Sequence, residues 1–366
     1  MARNSPSSKR RSAPYRILGL LLIAISVVGL MSIAFVIPMP YVIESPGPTF
    51  NVLGKVDNHQ VITIKKAKTY PAEGSLRMVT VSLRGGPESH ISGIELLVAA
   101  LDKRNEVLPE EQVYPKGITR EEVTERSNSQ MTSAQQNAEV AALAEQGIEV
   151  PGTQTISGFV DDSPNIDALQ VGDQLVSIKH GDETIQLDTA TAIFQVLRQI
   201  PAGSTLELTV LRSGTEKTVK VTTVANQEGA GSLLGIYLNM RLQMPVDINI
   251  SLEDVGGPSA GMMFALGILD LMTPGDLTGG ADIAGTGTIS VTGEVGAISG
   301  VVQKIHGAAG DGADFFLIPQ DNCRQMRGAK LPDIRVVPVR DLRQARDIVT
   351  KISNGKTGGM PSCPAR

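Results

Sequence analysis

A glycine- and proline-rich turn directly before an apolar helix constrains this chain more than any other feature. The turn reads Gly-Gly-Pro-Ser-Ala-Gly over 256–261, and apolar side chains follow it at helical spacing. Pro258 and the flanking glycines suit a tight turn into the helix, which leaves the Ser259 hydroxyl uncrowded near the helix N-terminus. Amide groups at that end have no intrahelical partner, so they can donate to a developing oxyanion. The sequence therefore predicts a nucleophile at Ser259.

A serine nucleophile needs a base, and the sequence offers a lysine for this role. The chain has four histidines, and none of them is well placed relative to Ser259. Lys304 lies downstream in a predicted helix with apolar neighbours such as Val301 and Ile305. Burial disfavours an ammonium group and would lower the pKa of the lysine from its usual value of about 10.4. We expect neutral Lys304 to take the Ser259 proton; an exposed helix lysine is the alternative.

Composition limits the classes of protein that fit. With 366 residues, 41% of them hydrophobic, the chain is long enough for two or three domains with real cores. The net charge of −5, without a basic stripe outside the N-terminus, argues against nucleic acid as a partner. Cys323 and Cys363 lack metal-ligand spacing, so no metal or cofactor is predicted. Their pairing in a disulfide stays open.

The N-terminus predicts a membrane anchor. Residues 1–16 form a basic tail with five Lys or Arg residues and no acid, and 17–37 carries no charge. Such a stretch is long enough to span a bilayer core of roughly 30 Å as a transmembrane helix. The positive flank predicts a cytoplasmic N-terminus and an extracytoplasmic catalytic domain on a single-pass protein of the cell membrane. A cleaved signal peptide is the alternative, but its apolar region would be shorter.

Residues 38–137 are expected to form an extracytoplasmic α/β segment. Alternating apolar residues predict strands at 61–64 and 78–83, and 93–145 is mostly helical in pattern, with a solvated helix or loop over 103–130. Because these strands need partners, we expect the segment to pack with the C-terminal domain. The Gly- and Pro-rich residues 353–366 predict a flexible tail.

Residues 138–228 resemble a bacterial PDZ domain. The resemblance rests on Asp162-Ser163-Pro164 and then Leu169-x-Val171-Gly172-Asp173-x-Leu175-x-Ser177-Ile178. It implies a groove between a helix near 189–199 and an exposed sheet edge, where an extended peptide adds a strand. The carboxylate-binding loop would lie around Gly147-Ile148. The alternative is a module that only packs against its neighbours.

Residues 229–352 resemble the proteolytic domain of the Lon family of Ser-Lys peptidases. The motifs that carry the resemblance occur in order: Gly257-Pro258-Ser259-Ala260-Gly261, Thr286-Gly287-x-Ile289, Gly293-x-Val295, Lys304 before Ala308-Ala309, and Leu317-Ile318-Pro319. The resemblance implies that Ser259 is the nucleophile, that Lys304 is the base and that Thr286 orients the lysine. Gly257, Pro258 and Ala260 would support them. It also implies assembly into a homo-oligomeric ring, which is often a hexamer in that family.

Together these features predict an α+β chain with an N-terminal transmembrane helix and a PDZ domain inserted before or within a Lon-type proteolytic domain. The expected activity is that of a membrane-anchored serine endopeptidase acting on extracytoplasmic or membrane-proximal proteins. No G-x-x-x-x-G-K-[ST] motif occurs, so the activity is expected to be independent of ATP. One departure concerns Gly256, where many Lon proteases carry an acid; Glu253 and Asp254 are the nearest acidic residues.

Two other functions fit part of the sequence. Gly257-x-Ser259-x-Gly261 satisfies the nucleophile elbow of α/β-hydrolases, but only His306 follows it, too close for that fold. A catalytically inactive, membrane-tethered PDZ adaptor would keep the peptide groove and lose the chemistry. The joint presence of Ser259, Lys304 and Thr286 argues against such an adaptor.

Overall fold

The computed structural model describes residues 13–36, 38–226, 231–252 and 255–363. By its internal contacts the chain divides into two compact units. Unit 1 comprises Met1–Pro46 and Val81–Val123, and unit 2 comprises Gly47–Thr80 and Thr124–Arg366. Both candidate catalytic residues belong to unit 2.

The helices and strands follow in chain order. The helices are α1 (Ala13–Val36), α2 (Gly93–Leu101), α3 (Glu110–Val113), α4 (Arg120–Glu145), α5 (Ala192–Leu197), α6 (Gly261–Met272), α7 (Val301–Gly310) and α8 (Leu342–Ser353), with a 3-10 helix at Gln320–Arg324. The strands are β1 (Pro38–Met39), β2 (Tyr41–Asn51), β3 (Lys55–Val56), β4 (His59–Gln60), β5 (Ile62–Lys65), β6 (Ser75–Arg84), β7 (Ile91–Ser92), β8 (Glu106–Pro109), β9 (Gly152–Phe159), β10 (Gln174–His180), β11 (Glu183–Gln186), β12 (Thr205–Arg212), β13 (Thr215–Thr222), β14 (Val224–Ala225), β15 (Ser232–Leu233), β16 (Ile236–Leu242), β17 (Asp247–Ile250), β18 (Asp282–Gly285), β19 (Thr288–Ile289), β20 (Val295–Gly296), β21 (Phe315–Pro319) and β22 (Arg335–Val339).

A parallel sheet forms the core of unit 2. Strand β18 pairs in parallel with β6 on one side and with β21 on the other, and β21 pairs in parallel with β22. Strands buried on both faces are apolar throughout, which explains the run Phe-Phe-Leu-Ile in β21. Leu317 packs in one cluster with α6 and α8, whereas Phe316 packs in another with α7. Helices α6 and α7 therefore cover opposite faces of this sheet.

Helix α4 is longer than the sequence indicated. It runs without a break through 120–145, so residues 120–130 of the predicted solvated helix or loop are helical and form its first half. Its buried face consists mostly of alanines, among them Ala134, Ala138 and Ala141. Small side chains allow the helix to lie close to α6 in the same apolar cluster. The prediction that 93–145 is mostly helical is confirmed by α2, α3 and α4.

Within unit 2, residues 152–242 form a module with its own sheet and apolar core. The strand order is β13-β12-β10-β9-β16, and α5 packs on the core through Ile193 and Leu197. The helix predicted near 189–199 is confirmed as α5. Strand β16 lies beyond the predicted boundary at residue 228, yet it pairs antiparallel with β9 along its length.

The aspartate of the PDZ-like motif, Asp173, forms an ion pair with Arg212 inside this module. Asp173 is 1% exposed and accepts hydrogen bonds from Arg212 at 2.7 and 2.6 Å. These bonds hold the pKa of the Asp173 carboxyl below its usual range. A buried carboxylate with a bidentate partner is satisfied, so this motif serves the fold.

Unit 1 contains α2 and two short antiparallel strand pairings. The first residues of β2, Tyr41–Glu44, pair with β8, and β1 pairs with β7. Ser92 is the N-cap of α2: its hydroxyl accepts from the Glu95 amide while the Glu95 carboxylate accepts from the Ser92 amide. This capping box fixes the N-terminus of α2.

The prediction of a membrane-spanning helix over 17–37 is wrong. Helix α1 covers residues 17–36 of this segment. In the part of the chain that the structure describes, no helix is both long and apolar enough to cross a membrane.

The predicted fold class and location are corrected accordingly. The fold is α+β, without the transmembrane helix that the sequence suggested. The single-pass membrane location, with a cytoplasmic N-terminus and an extracytoplasmic catalytic domain, depended on that helix and is wrong with it. Most of the basic tail, residues 1–12, lies outside the described residues.

The C-terminal segment is joined to the core of unit 2. Cys323, in the 3-10 helix, forms a disulfide with Cys363, a pairing that the sequence had left open. Met360 is 7% exposed and packs in the same apolar cluster as α6. Part of the predicted flexible tail is therefore anchored by a covalent bond and by apolar burial.

Asp270 gives this core a pH dependence. It is fully buried in α6, and its Oδ1 accepts from the Leu277 amide at 2.9 Å. Burial raises its pKa from 3.8 to about 6, so the folded state binds this proton more tightly than the unfolded state. The resulting stabilisation is complete below pH about 4 and is lost as the pH rises through about 6. This difference in pKa corresponds to about 3 kcal/mol.

Asp270→Asn removes the titrating group. We expect the difference in unfolding free energy between variant and wild type to move by about 2.5 kcal/mol in favour of the variant from pH about 4 to pH about 7.5. Urea unfolding at both pH values measures it. Asp314→Asn, at an exposed position, is the control and should show a constant difference. A constant difference for Asp270→Asn would contradict the prediction.

Candidate active site

Ser259 and Lys304 meet near the carboxyl end of β18, a central strand of the parallel sheet of unit 2. The Lys304 Nζ lies 2.9 Å from the Ser259 Oγ, within hydrogen-bond distance. Lys304 is 3% exposed although it carries an amine, and Ser259 is half-buried. A lysine is seldom buried this deeply unless the fold uses it. The structure thus brings together the two residues that the sequence predicted as nucleophile and base.

The turn before α6 places the serine. Gly257 has φ 85°, in the left-handed region that favours glycine, and its amide donates to the Ser127 carbonyl of α4 at 3.0 Å. The Pro258 carbonyl accepts from the Gly261 amide at 3.4 Å. Ala260 is the N-cap of α6 and is 3% exposed. The Ser259 and Ala260 amides therefore stand at a helix N-terminus, where amides can donate to an oxyanion.

Thr286 joins the nucleophile turn to the lysine. It follows β18, is fully buried, and its Oγ1 donates to the Ser259 carbonyl at 3.0 Å. The Lys304 Nζ donates to the same Oγ1 at 3.3 Å. The Gly287 amide also donates to the Ser259 carbonyl, at 2.8 Å. Thr286 thus contacts both the Ser259 backbone and the amine of Lys304, the lysine that the resemblance expects it to orient.

Asn322 fixes the entry to the helix that carries Lys304, and sequence reasoning missed it. Asn322 is fully buried in the 3-10 helix after β21. Its Oδ1 accepts from the Ile298 amide at 3.0 Å, and its Nδ2 donates to the Ile298 carbonyl at 2.7 Å. These two hydrogen bonds to Ile298 position the loop directly before α7. No motif marks Asn322; only the preceding Leu-Ile-Pro strand hinted that an ordered turn follows.

Helix α4 forms a wall of the cleft, which sequence reasoning also missed. The Asn137 Nδ2 donates to the Ile289 carbonyl of β19 at 3.0 Å, and Ser127 holds the nucleophile turn as described. A pocket of about 190 Å³ lies between α4 and these loops. Its lining residues are Ser129, Gln130, Ser133, Ala134, Asn137, Pro258, Thr288 and Ile289. The available signal was the uncharged sequence of α4 between Arg126 and Glu139.

Other candidate residues lie elsewhere. The His306 ring is paired with the Lys330 carbonyl at 3.1 Å, which does not suit a base for Ser259. The Gly147 and Ile148 amides donate to the Ala144 and Leu143 carbonyls at the end of α4, so the carboxylate loop expected there is wrong. Glu253 and Asp254 lie outside the described residues. Among the described residues, no three His, Cys, Asp or Glu side chains lie close enough to hold a metal ion.

Comparisons with known proteins agree with this geometry for part of the chain. Residues 248–345 match the family described as the Lon protease (S16) C-terminal proteolytic domain. This segment is similar to a Lon proteolytic domain. It contains Ser259, Thr286 and Lys304. The Lon protease of Xanthomonas oryzae pv. oryzae (strain KACC10331 / KXO85) is 27% identical over 139 residues, covering 33% of this chain and 16% of that protein. The chain therefore spans only a small part of that relative's length.

A structural comparison concerns the module. The crystal structure of the PDZ domain of an SdrC-like protein from Listeria monocytogenes shares 16% identity with this chain at a TM-score of 0.21. The match covers 23% of this chain and 85% of the Listeria chain. So low a TM-score does not establish a PDZ fold. The predicted insertion of a PDZ domain gains no support from it.

Gly261 tests how tightly the nucleophile turn is packed. A Cβ at this position would lie 2.8 Å from the Ile289 Cγ2 and 3.2 Å from the Ile289 amide nitrogen. We expect Gly261→Ala to destabilise the protein by about 1–3 kcal/mol, because a branched side chain and a strand backbone must move. Thermal unfolding measures the loss.

Gly310→Ala is the matched control. Gly310 ends α7, and a Cβ there meets no atom within 4 Å. Alanine is favoured over glycine in a helix, so this variant should gain up to about 1 kcal/mol. Equal effects of the two substitutions would show that the Ile289 contact does not constrain the turn.

Proposed function

We propose that this chain is a serine endopeptidase that hydrolyses peptide bonds with a Ser259–Lys304 dyad. The observation that carries the proposal is the 2.9 Å contact between the buried Lys304 Nζ and the Ser259 Oγ. The similarity of residues 248–345 to the Lon proteolytic domain supports the same reaction class. In this proposal the substrates are proteins or peptides.

The proposed mechanism begins with proton transfer from Ser259 to Lys304. Burial disfavours the ammonium form, so the neutral amine is available to accept the Ser259 proton. The Ser259 Oγ then attacks the carbonyl carbon of the scissile bond. The oxyanion that forms receives hydrogen bonds from amides at the start of α6. Thr286 holds the Lys304 amine by its hydroxyl, which fixes the direction of proton transfer.

Collapse of the tetrahedral intermediate completes acylation. The C–N bond breaks, and the protonated Lys304 amine returns its proton to the leaving amine. An ester between Ser259 and the acyl part of the substrate remains. Water then attacks that ester, with Lys304 again as the base, and Ser259 is regenerated. Every atom and proton in these steps comes from the dyad, the substrate or water. The proposed hydrolysis therefore consumes no ATP.

We propose a peptide-recognition or gating role for the module. Strand β16 ends its sheet, pairing with β9 on one side only. Its half-buried Ile236, Leu238 and Met240 alternate with exposed side chains, a pattern that suits addition of a further strand. Arg198, directly after α5, pairs with Glu294 beside β20 at 2.5 Å. This contact connects the module to the hairpin that borders the cleft.

Assembly into a homo-oligomeric ring belongs to the same proposal. Its support is the similarity of residues 248–345 to the Lon proteolytic domain. A ring would enclose the cleft and restrict it to extended chains.

Replacement of either dyad residue tests the proposed chemistry. We expect Ser259→Ala and Lys304→Met to lower peptide turnover by at least about 10³-fold, because each removes a group that takes part in bond breaking. A quenched fluorescent peptide library measures turnover, and a fluorophosphonate probe measures the reactivity of Ser259. An inactive scaffold predicts the same signal for wild type and both variants.

A matched pair at Thr286 separates chemistry from folding. Thr286→Ser keeps the hydroxyl that contacts Lys304 and should retain most of the activity, whereas Thr286→Val keeps the shape and should lose activity. Equal activity in the two variants would remove Thr286 from the mechanism. Circular dichroism checks that both are folded.

The Arg198–Glu294 ion pair tests the connection between module and cleft. We expect Arg198→Ala to lower peptide turnover by up to about fivefold, since an exposed ion pair contributes about 1 kcal/mol or less. Lys179→Ala breaks the exposed pair with Glu207, inside the module, and is the control. Exchange of the charges in an Arg198→Glu, Glu294→Arg variant should restore turnover. If Arg198→Ala and Lys179→Ala behave alike, this pair does not couple the two parts.

A further inference from the structure

The short segment that carries Ser259 is held at both of its ends. On its N-terminal side, the Gly257 amide donates to the Ser127 carbonyl of α4 at 3.0 Å. On its C-terminal side, the Ser259 carbonyl accepts from the Thr286 hydroxyl at 3.0 Å. Pro258 lies between these two bonds, and its ring fixes φ. Because so short a segment is held at both ends, the bond to α4 helps to set the direction of the Ser259 side chain.

A close contact accompanies the bond to α4. Gly256 lies directly before Gly257, and a Cβ at Gly256 would overlap the Ser127 hydroxyl oxygen and lie 3.0 Å from the Ser127 Cβ. The φ of Gly256 is outside the left-handed region, so the backbone conformation does not itself require glycine there. The lack of a side chain at Gly256 is therefore what allows Ser127 to lie against the nucleophile turn.

Helix α4 is fixed on the core of unit 2 near this contact. One turn after Ser127, Met131 is 6% exposed and packs in the same apolar cluster as α6. One turn further on, the Gln135 Nε2 donates to the Ile250 carbonyl of β17, the strand that precedes the nucleophile turn, at 3.4 Å. Helix α4 lies outside residues 248–345, the segment similar to the Lon proteolytic domain. A part of the chain beyond that similarity thus gives the turn a rigid support.

We propose that Ser127 is a positioning residue for Ser259. Through its contacts with Gly256 and Gly257, it fixes the direction of the nucleophile and of the amides at the start of α6. The inference rests on the proposed function, because it assigns a further residue to the same reaction. A shift of the turn by about 1 Å would move the Ser259 Oγ relative to the Lys304 amine, and displacements of this size lower rates by about 10²-fold.

An alanine at Gly256 tests the contact. Gly256→Ala forces Ser127 and the turn apart, so we expect kcat for peptide hydrolysis to fall by at least about tenfold. KM should stay within about threefold of wild type, since the side chains that line the cleft are unchanged. Ser127→Gly removes the side chain that the new Cβ meets. The double variant should therefore recover kcat to within about threefold of the Ser127→Gly single variant.

Gly358→Ala is the matched control. Gly358 is likewise exposed, its φ is also outside the left-handed region, and a Cβ there meets no atom within 4 Å. This variant should keep the wild-type kcat. Ser127→Val adds bulk to the same contact from the α4 side and should lower kcat as Gly256→Ala does. It decides the question if circular dichroism shows that Gly256→Ala does not fold.

The outcomes separate the two proposals. A lower unfolding temperature or a higher KM, with kcat unchanged, would leave α4 as a structural or binding wall and overturns the positioning role. A double variant as slow as Gly256→Ala, or a Ser127→Val variant with wild-type kcat, overturns it as well. In each of these cases the wild-type turnover still depends on Ser259, and the proposed function stands. Turnover that does not depend on Ser259 overturns the proposed function together with this inference.

Discussion

The contact between the Lys304 amine and the Ser259 hydroxyl depends on burial of a group that prefers water. Lys304 is held at 3% exposure by α7, whose apolar side chains pack on one face of the parallel sheet. Ser259 comes from the turn before α6, which covers the other face. The two residues meet only because both helices begin near the sheet edge where β18 ends. The sheet is thus the common frame for the dyad.

Thr286 and Gly287, directly after β18, fix Ser259 and Lys304 relative to each other by hydrogen bonds. Thr286 bonds to the Ser259 carbonyl and to the Lys304 amine, and Gly287 bonds to the same carbonyl. Asn322 anchors the loop before α7 from the opposite side. Buried hydrogen bonds of this kind are costly to break, since each leaves an unpaired polar group away from water. The Ser259 and Lys304 side chains are therefore held in contact by the fold itself.

Other regions of unit 2 lie around the Ser259–Lys304 pair. Helix α4 provides an uncharged wall beside the nucleophile, and the module contacts the β19–β20 hairpin through Arg198. The disulfide from Cys323 attaches the C-terminal segment next to Asn322. Short contacts inside unit 2 thus connect these regions to the Ser259–Lys304 pair.

The sequence by itself determined many of the local elements and singled out Ser259 and Lys304 as the pair proposed to act together. Apolar periodicity located β21, α6 and α7, and the ordered motifs around Ser259, Thr286 and Lys304 pointed to the residues that the structure brings within 3.3 Å. The same apolar reasoning failed at 17–37, where hydropathy alone suggested a membrane span that the described residues do not provide. Only the tertiary structure decided the roles of Asn322 and α4 and the pairing of Cys323 with Cys363. These depend on contacts between segments distant in sequence, and a local pattern carries no information about which distant surfaces will meet.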